Sequence, residues 1–260
     1  MNIIIHRGTH QIGGSAIEIS TASTRIILDF GNELSLDEKY TPINLDIDGV
    51  TKGLPDCDGI VISHYHMDHL GQLTSALPEI PLYMGELSKE IALIGAEYQD
   101  RCLYLRLLGA NTFRGGDAFS IGDIRIRPLV IDHSAVDSYM FALEAEGKHV
   151  LYTGDFRMHG LRHHILDQLV NTYIGEVDVL ITEGTSLSRD ADKYISEAAV
   201  LDDISSYIQD GKYVFVMCSS TNIDRIMGIW QNMPTDKVLI CDAYQKRILD
   251  TVINNVYYES

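Results

Sequence analysis

Three histidines and one aspartate fall within six positions in Ser63-His64-Tyr65-His66-Met67-Asp68-His69, directly behind the apolar run Gly59–Ser63. Imidazole nitrogen and carboxylate oxygen are donors that divalent zinc takes. In an extended segment His64 and His66, two apart, point to the same side. Asp68 and His69 come one turn later, where the chain enters a helix, so they can face a second cation. The bland alternative is a hydrophilic turn with solvated histidines. It fails on density, because four potential ligands at one strand end are hard to assign to packing.

Composition narrows the setting. The 260 residues are 45% hydrophobic and 22% charged, with a mean hydropathy of zero. That excludes a disordered chain, a fibrous repeat and a disulfide-stapled miniprotein. The 37 acidic and 20 basic residues give a net charge of −17. Such a chain does not attract nucleic acid by its overall field, so any such role needs a local basic or metal-centred patch. Two bound divalent cations would return four positive charges at one place. Cys57, Cys102, Cys218 and Cys241 form no Cys-x-x-Cys pair and read as reduced core residues of a cytoplasmic protein. Ile3-Ile4-Ile5 is too short for a signal peptide, and no run approaches the roughly 18 apolar residues of a membrane helix.

Up to about residue 190 the chain reads as short strands broken by turns. Strands are expected at Ile3–His6, Ser15–Ser20, Arg25–Asp29, Gly59–Ser63, Ala118–Ile121 and Ile124–Val130, with Pro128 marking an edge or a strand end. Tyr139–Ala145 and His149–Thr153 read as a hairpin, and Val177–Thr182 as a buried strand. Helices are expected at Leu70–Leu77 and, on its apolar spacing, Glu86–Leu108. Beyond that point strand and helix alternate. Ser196–Gln209, Asn222–Asn232 and Tyr244–Asn254 read as helices, Tyr213–Met217 and Lys237–Cys241 as strands, which argues for a parallel α/β sheet. The polar stretch near Lys193 divides residues 1–193 from 194–260.

His64-x-His66-x-Asp68-His69 resembles the signature of the metallo-β-lactamase superfamily, and other motifs follow in the family's order. Asp29 in Leu28-Asp29-Phe30-Gly31 resembles the first, His133 in Asp132-His133-Ser134 the third, and Asp155 in Thr153-Gly154-Asp155-Phe156-Arg157 the fourth. The opening Gly8-Thr9-His10-Gln11-Ile12-Gly13-Gly14-Ser15, Tyr152 before the fourth motif, and Glu183-Gly184-Thr185 are similar to the β-CASP, ribonuclease J-like branch. The resemblance implies an αβ/βα sandwich over residues 1–193, followed over 194–260 by the start of a parallel α/β, β-CASP-like domain.

It also implies roles. His64, His66 and His133 would hold one zinc, Asp68 and His69 a second, and Asp155 would bridge them. The activity would be hydrolysis of RNA or another phosphodiester by a hydroxide shared between the ions. Asp68, Asp29 and Glu183 would serve catalysis, Asp29 by orienting a ligand and Glu183 by orienting a general acid, or else by capping a strand end. Arg157 and His159 could meet a phosphate or form a surface pair; His163-His164 reads as a solvated helix face. The family's last metal-binding histidine has no counterpart after Asp155, where only His159, His163 and His164 occur. That departure implies either a fragment of a longer protein, the favoured reading, or a reduced member of the family. It also keeps open two other readings: a hydrolase of thioesters or lactams, favoured by the acidic charge, and a metal-binding module without turnover. A homo-oligomer is also compatible with the sequence.

Overall fold

The structure, a computed structural model, describes residues 1–34, 43–187 and 194–255. One sheet has the order β1 (Asn2–Arg7), β2 (Ala16–Ser20), β3 (Arg25–Leu28), β4 (Gly59–Ile62), β5 (Leu82–Gly85) and β6 (Asn111–Phe113). Its first three strands are antiparallel and β3 to β6 are parallel. The second sheet contains β7 (Phe119–Ile121), β8 (Ile124–Ile131), β9 (Ser138–Ala145), β10 (Lys148–Tyr152) and β11 (Val179–Ile181), in the order β11-β10-β9-β8-β7. The helices are α1 (Met67–Leu70), α2 (Glu86–Gln99), α3 (Arg101–Leu108), α4 (Ile165–Leu169), α5 (Glu197–Asp210), α6 (Ile223–Gln231) and α7 (Ala243–Ile253). A π-helical turn, Val170–Ile174, continues α4.

The two-residue period of the strands sorts side chains into layers. Ile17, Ile19, Ile26, Leu28 and Val61 face the second sheet and pack with Ile124, Ile126, Phe141, Leu143 and Val150. Ile27, Ile60 and Ile62 face the other way, into a core shared with Ile91, Leu103, Ile223 and Ile248 of the helices. The central strands are buried on both faces, which is why they read as unbroken apolar runs. Leu129, Ile131 and Leu151 pack under Leu169 of α4 on the far side of the second sheet. The result is the expected sandwich of two sheets between helical layers.

Register brings the functional strand ends together. β8 and β10 both pair antiparallel with β9, so they run in the same direction. β11 runs parallel to β10. The segments after β8, β10 and β11 therefore emerge at one end of the sheet. Tyr139 N–H donates to Ser63 O at 3.1 Å, which ties that end to the end of β4.

Several expectations need correction. The segment after residue 70 is not a helix: α1 ends at Leu70, and Gly71 N–H closes it on Met67 O at 2.8 Å. An added Cβ at Gly71 would lie 2.3 Å from Asn32 Nδ2, so the chain turns where that approach is needed. The 86–108 helix is two helices. Asp100 at φ −148°, ψ 100° breaks it, and its carboxylate caps Cys102 N and Leu103 N of α3. β11 is an exposed edge strand rather than a buried one, with Leu180 56% exposed. Pro128 sits beyond the β7 pairing, where β8 is locally an edge. Cys102 and Cys241 are exposed, not core. Among the described residues no strand follows Ile181: Tyr213–Met217 and Lys237–Cys241 join no sheet. The division near Lys193 lies outside the described residues.

Candidate metal centre

His64, His66 and His133 converge from two sheets. His64 Nε2 lies 3.1 Å from His66 Nδ1, which lies 3.2 Å from His133 Nε2. Zinc bonds of about 2.0–2.1 Å in a tetrahedral site set donor nitrogens about 3.3 Å apart, so this triad fits one zinc ion. Donor atoms of His64, His69 and Asp155 form a second group, all within 4.8 Å of one another. Asp155 spans both groups, with Oδ1 3.3 Å from His69 Nε2 and Oδ2 3.9 Å from His133 Nε2. Asp68 Oδ2 lies 3.8 Å from His69 Nε2. The donor set, nitrogen with carboxylate oxygen, matches what zinc takes.

Electrostatics prepares the triad. Burial, reinforced by neighbouring imidazoles, holds His64 well below 6.5. Burial and His69 bring His66 down to about 4, against the pull of Asp155. Burial and His66 bring His133 down to about 3. All three are therefore neutral at pH 7 and keep lone pairs for a cation. His69 goes the other way. Burial works against its charged form, but Asp29 and Asp155 outweigh it and raise the imidazole well above 6.5. A cation bound beside Asp155 would take the place of that proton. Burial raises the Asp68 carboxyl, and the negative charges of Asp155 and Asp29 add to the rise.

Asp29 organises the floor of the site. It is fully buried with φ 56°. Its carboxylate accepts Ser63 N–H at 2.7 Å, Ser63 Oγ–H at 2.8 Å and Tyr152 Oη–H at 2.5 Å, and lies 2.8 Å from His69 Nδ1. By accepting the Nδ1 proton it turns His69 Nε2 toward Asp68 and Asp155. The glycine loop grips the α1 end: Gly14 N and Ser15 N each donate to Asp68 O at 3.1 Å, and Phe30 N donates to His69 O at 2.7 Å. Gly31 permits this contact, since a Cβ there would lie 1.6 Å from Asp68 O.

Glu183 lies behind Asp155 and accepts Phe156 N–H at 2.8 Å, so it fixes the loop after the aspartate. Burial raises its carboxyl pKa, and Asp155 adds to the rise. The His159 ring lies 5.2 Å from that of Tyr194, tilted by 32°, and both line a cleft of about 640 Å³ beside His133 and Asp155. His6 pairs with Glu18 at 2.9 Å. Arg157 also lines the cleft, and its guanidinium pairs with Asp132 at 2.8 Å, with the Arg157 side chain only 9% exposed, rather than forming an exposed surface pair. Sequence reasoning missed Ser63, Tyr152 and the Asp132–Arg157 pair. Ser63 and Tyr152 adjoin recognised motifs, and adjacency was the signal for them. Arg157 gave none, because its partners are remote in sequence.

A family model described as a beta-lactamase superfamily domain matches residues 24–204. The chain is 25% identical over 244 residues to ribonuclease J of Helicobacter pylori, an alignment covering 84% of this chain and 33% of that protein. It is 27% identical over 223 residues to an RNase J-like protein of Methanocaldococcus jannaschii, covering 81% of this chain and 49% of that protein. The chain thus spans a third to a half of the length of these relatives. A crystal structure of a protein of unknown function from Enterococcus faecalis superposes with a TM-score of 0.80 at 20% identity, covering 95% of this chain and 66% of that one. That likeness concerns the fold.

Proposed function

The chain belongs to the metallo-β-lactamase superfamily, and from that premise we propose that it is the metal-binding part of a zinc-dependent hydrolase of RNA or another phosphodiester. The observation that carries the reading is the convergence of His64, His66, His69, His133 and Asp155 from three separate strand ends and α1. His64, His66 and His133 would hold one zinc ion, with Asp68, His69 and Asp155 as the residues that would hold a second beside it. When bound, the paired cations supply a nucleophilic water near neutral pH and offset charge in the in-line transition state. The chain's own residues do the rest. Asp29 holds His69 in one tautomer, the glycine loop fixes Asp68, and Glu183 secures the Asp155 loop. The cleft past His133 and Asp155, with His159 and Tyr194 on its wall, receives the substrate. The reading divides the chain near residue 193 and assigns α5, α6 and α7 to a second, β-CASP-like part.

RNA is the favoured substrate because curated relatives are named as ribonucleases. A cytoplasmic location accompanies it, and no described helix is long and apolar enough to cross a membrane. Purified protein should carry close to two zinc ions per chain, and metal-free preparations would sink the site assignment. A 5′-phosphorylated RNA should be cleaved by the chain or by a longer protein containing it, and Asp68→Asn should abolish cleavage. The net charge of −17 supports a second reading, a small-molecule substrate. Turnover of thioesters without cleavage of RNA would select it.

A further inference from the structure

Three arginines and three carboxylates form a charge-balanced network one step behind the metal-ligand loops. Arg157 Nε donates to Asp132 Oδ1 at 2.8 Å, and Arg157 N donates to Asp132 O at 2.8 Å. Arg162 N donates to Asp132 Oδ2 at 2.7 Å. On the helical side, Asp224 Oδ2 lies 3.4 Å from Arg157 Nη2 and 3.0 Å from Arg162 Nη2. Glu197 Oε2 lies 3.6 Å from Arg157 Nη1, and Glu197 also accepts two bonds from Arg225, at 2.6 and 2.9 Å. The carboxylate side chains of Asp132, Glu197 and Asp224 are 1%, 2% and 4% exposed, and Arg157 is 9% exposed. The approach is tight: a Cβ at Gly160 would lie 2.2 Å from Asp132 Oδ1 and 2.3 Å from Arg157 Nε.

Each inner member adjoins a proposed ligand. Asp132 precedes His133, and Arg157 follows Asp155 by two residues. We infer that Asp224 of α6 and Glu197 of α5 are positioning residues for the metal centre: through Arg157 they clamp Asp132 and so fix the separation of His133 and Asp155. The inference rests on the zinc reading above. The physical reason is that buried ions must keep their partners. If Asp224 loses its charge, the Arg157 guanidinium loses one of the carboxylates that hold it in place. The side-chain part of the tie between the two loops loosens, while the backbone bond from Arg157 N to Asp132 O remains. The helices after residue 194 then set the geometry of a centre to which they contribute no ligand.

The test is zinc affinity of the 260-residue chain, by competition with a chromophoric chelator, together with the visible spectrum of the cobalt-substituted protein. Asp224→Asn should remain helical by circular dichroism, bind zinc roughly tenfold or more weakly, and change the cobalt spectrum. Arg157→Met should weaken binding, and the double variant should bind no more weakly than Arg157→Met alone. Ile248→Ala, a core cavity in α7 outside the network, should lower the melting temperature yet leave zinc affinity unchanged. If Asp224→Asn does not fold, Arg225→Gln, at the more exposed rim, should give a smaller weakening of the same kind. A folded Asp224→Asn or Arg225→Gln with the parent's affinity and cobalt spectrum overturns the inference, as does equal weakening by Ile248→Ala. Failure of the parent chain to bind zinc overturns the zinc reading itself, and the inference with it.

Discussion

Asp29 gathers Ser63, His69 and Tyr152 on one buried carboxylate, in a left-handed backbone conformation that few residues other than glycine, asparagine and aspartate adopt readily. Asp29→Asn keeps that backbone but replaces one acceptor oxygen with a donor amide. Zinc affinity should fall tenfold to a hundredfold, read by chelator competition, with the fold retained. Unchanged affinity would show that His69 is oriented by something else. The triad also makes a pH prediction for the metal-free chain. His66 is brought down to about 4 and His133 to about 3, while His64 is held well below 6.5. Between pH 6.5 and about 4 the unfolded chain binds protons at these positions that the folded chain does not, so stability falls on acidification. His69 and the raised carboxyls of Asp68 and Glu183 have the opposite sign and blunt the fall, but the three depressed imidazoles set its direction. Urea titrations in chelator should therefore give a lower midpoint at pH 5 than at pH 7. An equal or higher midpoint at pH 5 would contradict the neutral triad.

At the scale of elements, two glycines separate packing from backbone strain. Gly31→Ala would drive a methyl to 1.6 Å from Asp68 O, against backbone that has no rotamer to escape into. It should cost about 3 kcal/mol or more and loosen the α1 segment. Gly147, at φ +69° with nothing within 4 Å, meets only its own conformational penalty, so Gly147→Ala should cost about 1–2 kcal/mol. Urea unfolding of the two variants should rank them in that order. Asp100→Ala, which uncaps α3, should cost about 1 kcal/mol by the same measurement. These elements also show what a sequence can disclose. The strand end carrying His64 was legible because ligand chemistry is dense there and β4 is apolar on both faces, and His133 and Asp155 were legible through the motifs that surround them. The helix beyond Leu70 was misread because apolar spacing does not show where α1 closes, which it does with Gly71 N–H on Met67 O. Residues 213–217 and 237–241 have strand composition, yet a strand also needs a hydrogen-bonded neighbour, and among the described residues none pairs with them. The partners of Arg157 were not legible because pairing of a largely buried cation depends on residues such as Asp224, 67 residues away.

For the whole molecule, the region after residue 194 is two-sided. One side enters the helical core through Ile223, Met227, Ile248 and Val252. The other leaves Phe215 97%, Val238 80% and Ile240 88% exposed around a cleft of about 770 Å³. Contiguous apolar surface of this kind recruits other apolar surface. The net charge of −17 opposes contact between copies, and salt weakens that opposition. Self-association should therefore rise with ionic strength, the reverse of an assembly held by ion pairs. Phe215→Ser with Ile240→Ser removes little buried contact, so unfolding free energy should change by no more than about 0.5 kcal/mol per site, whereas Phe141→Ala in the inter-sheet core should cost about 3–5 kcal/mol. The same double variant should lower binding of a hydrophobic dye and flatten the salt dependence seen by sedimentation velocity. A dye signal equal to the parent's, together with a large loss of stability, would mean that these side chains are packed inside the molecule rather than presented on its surface.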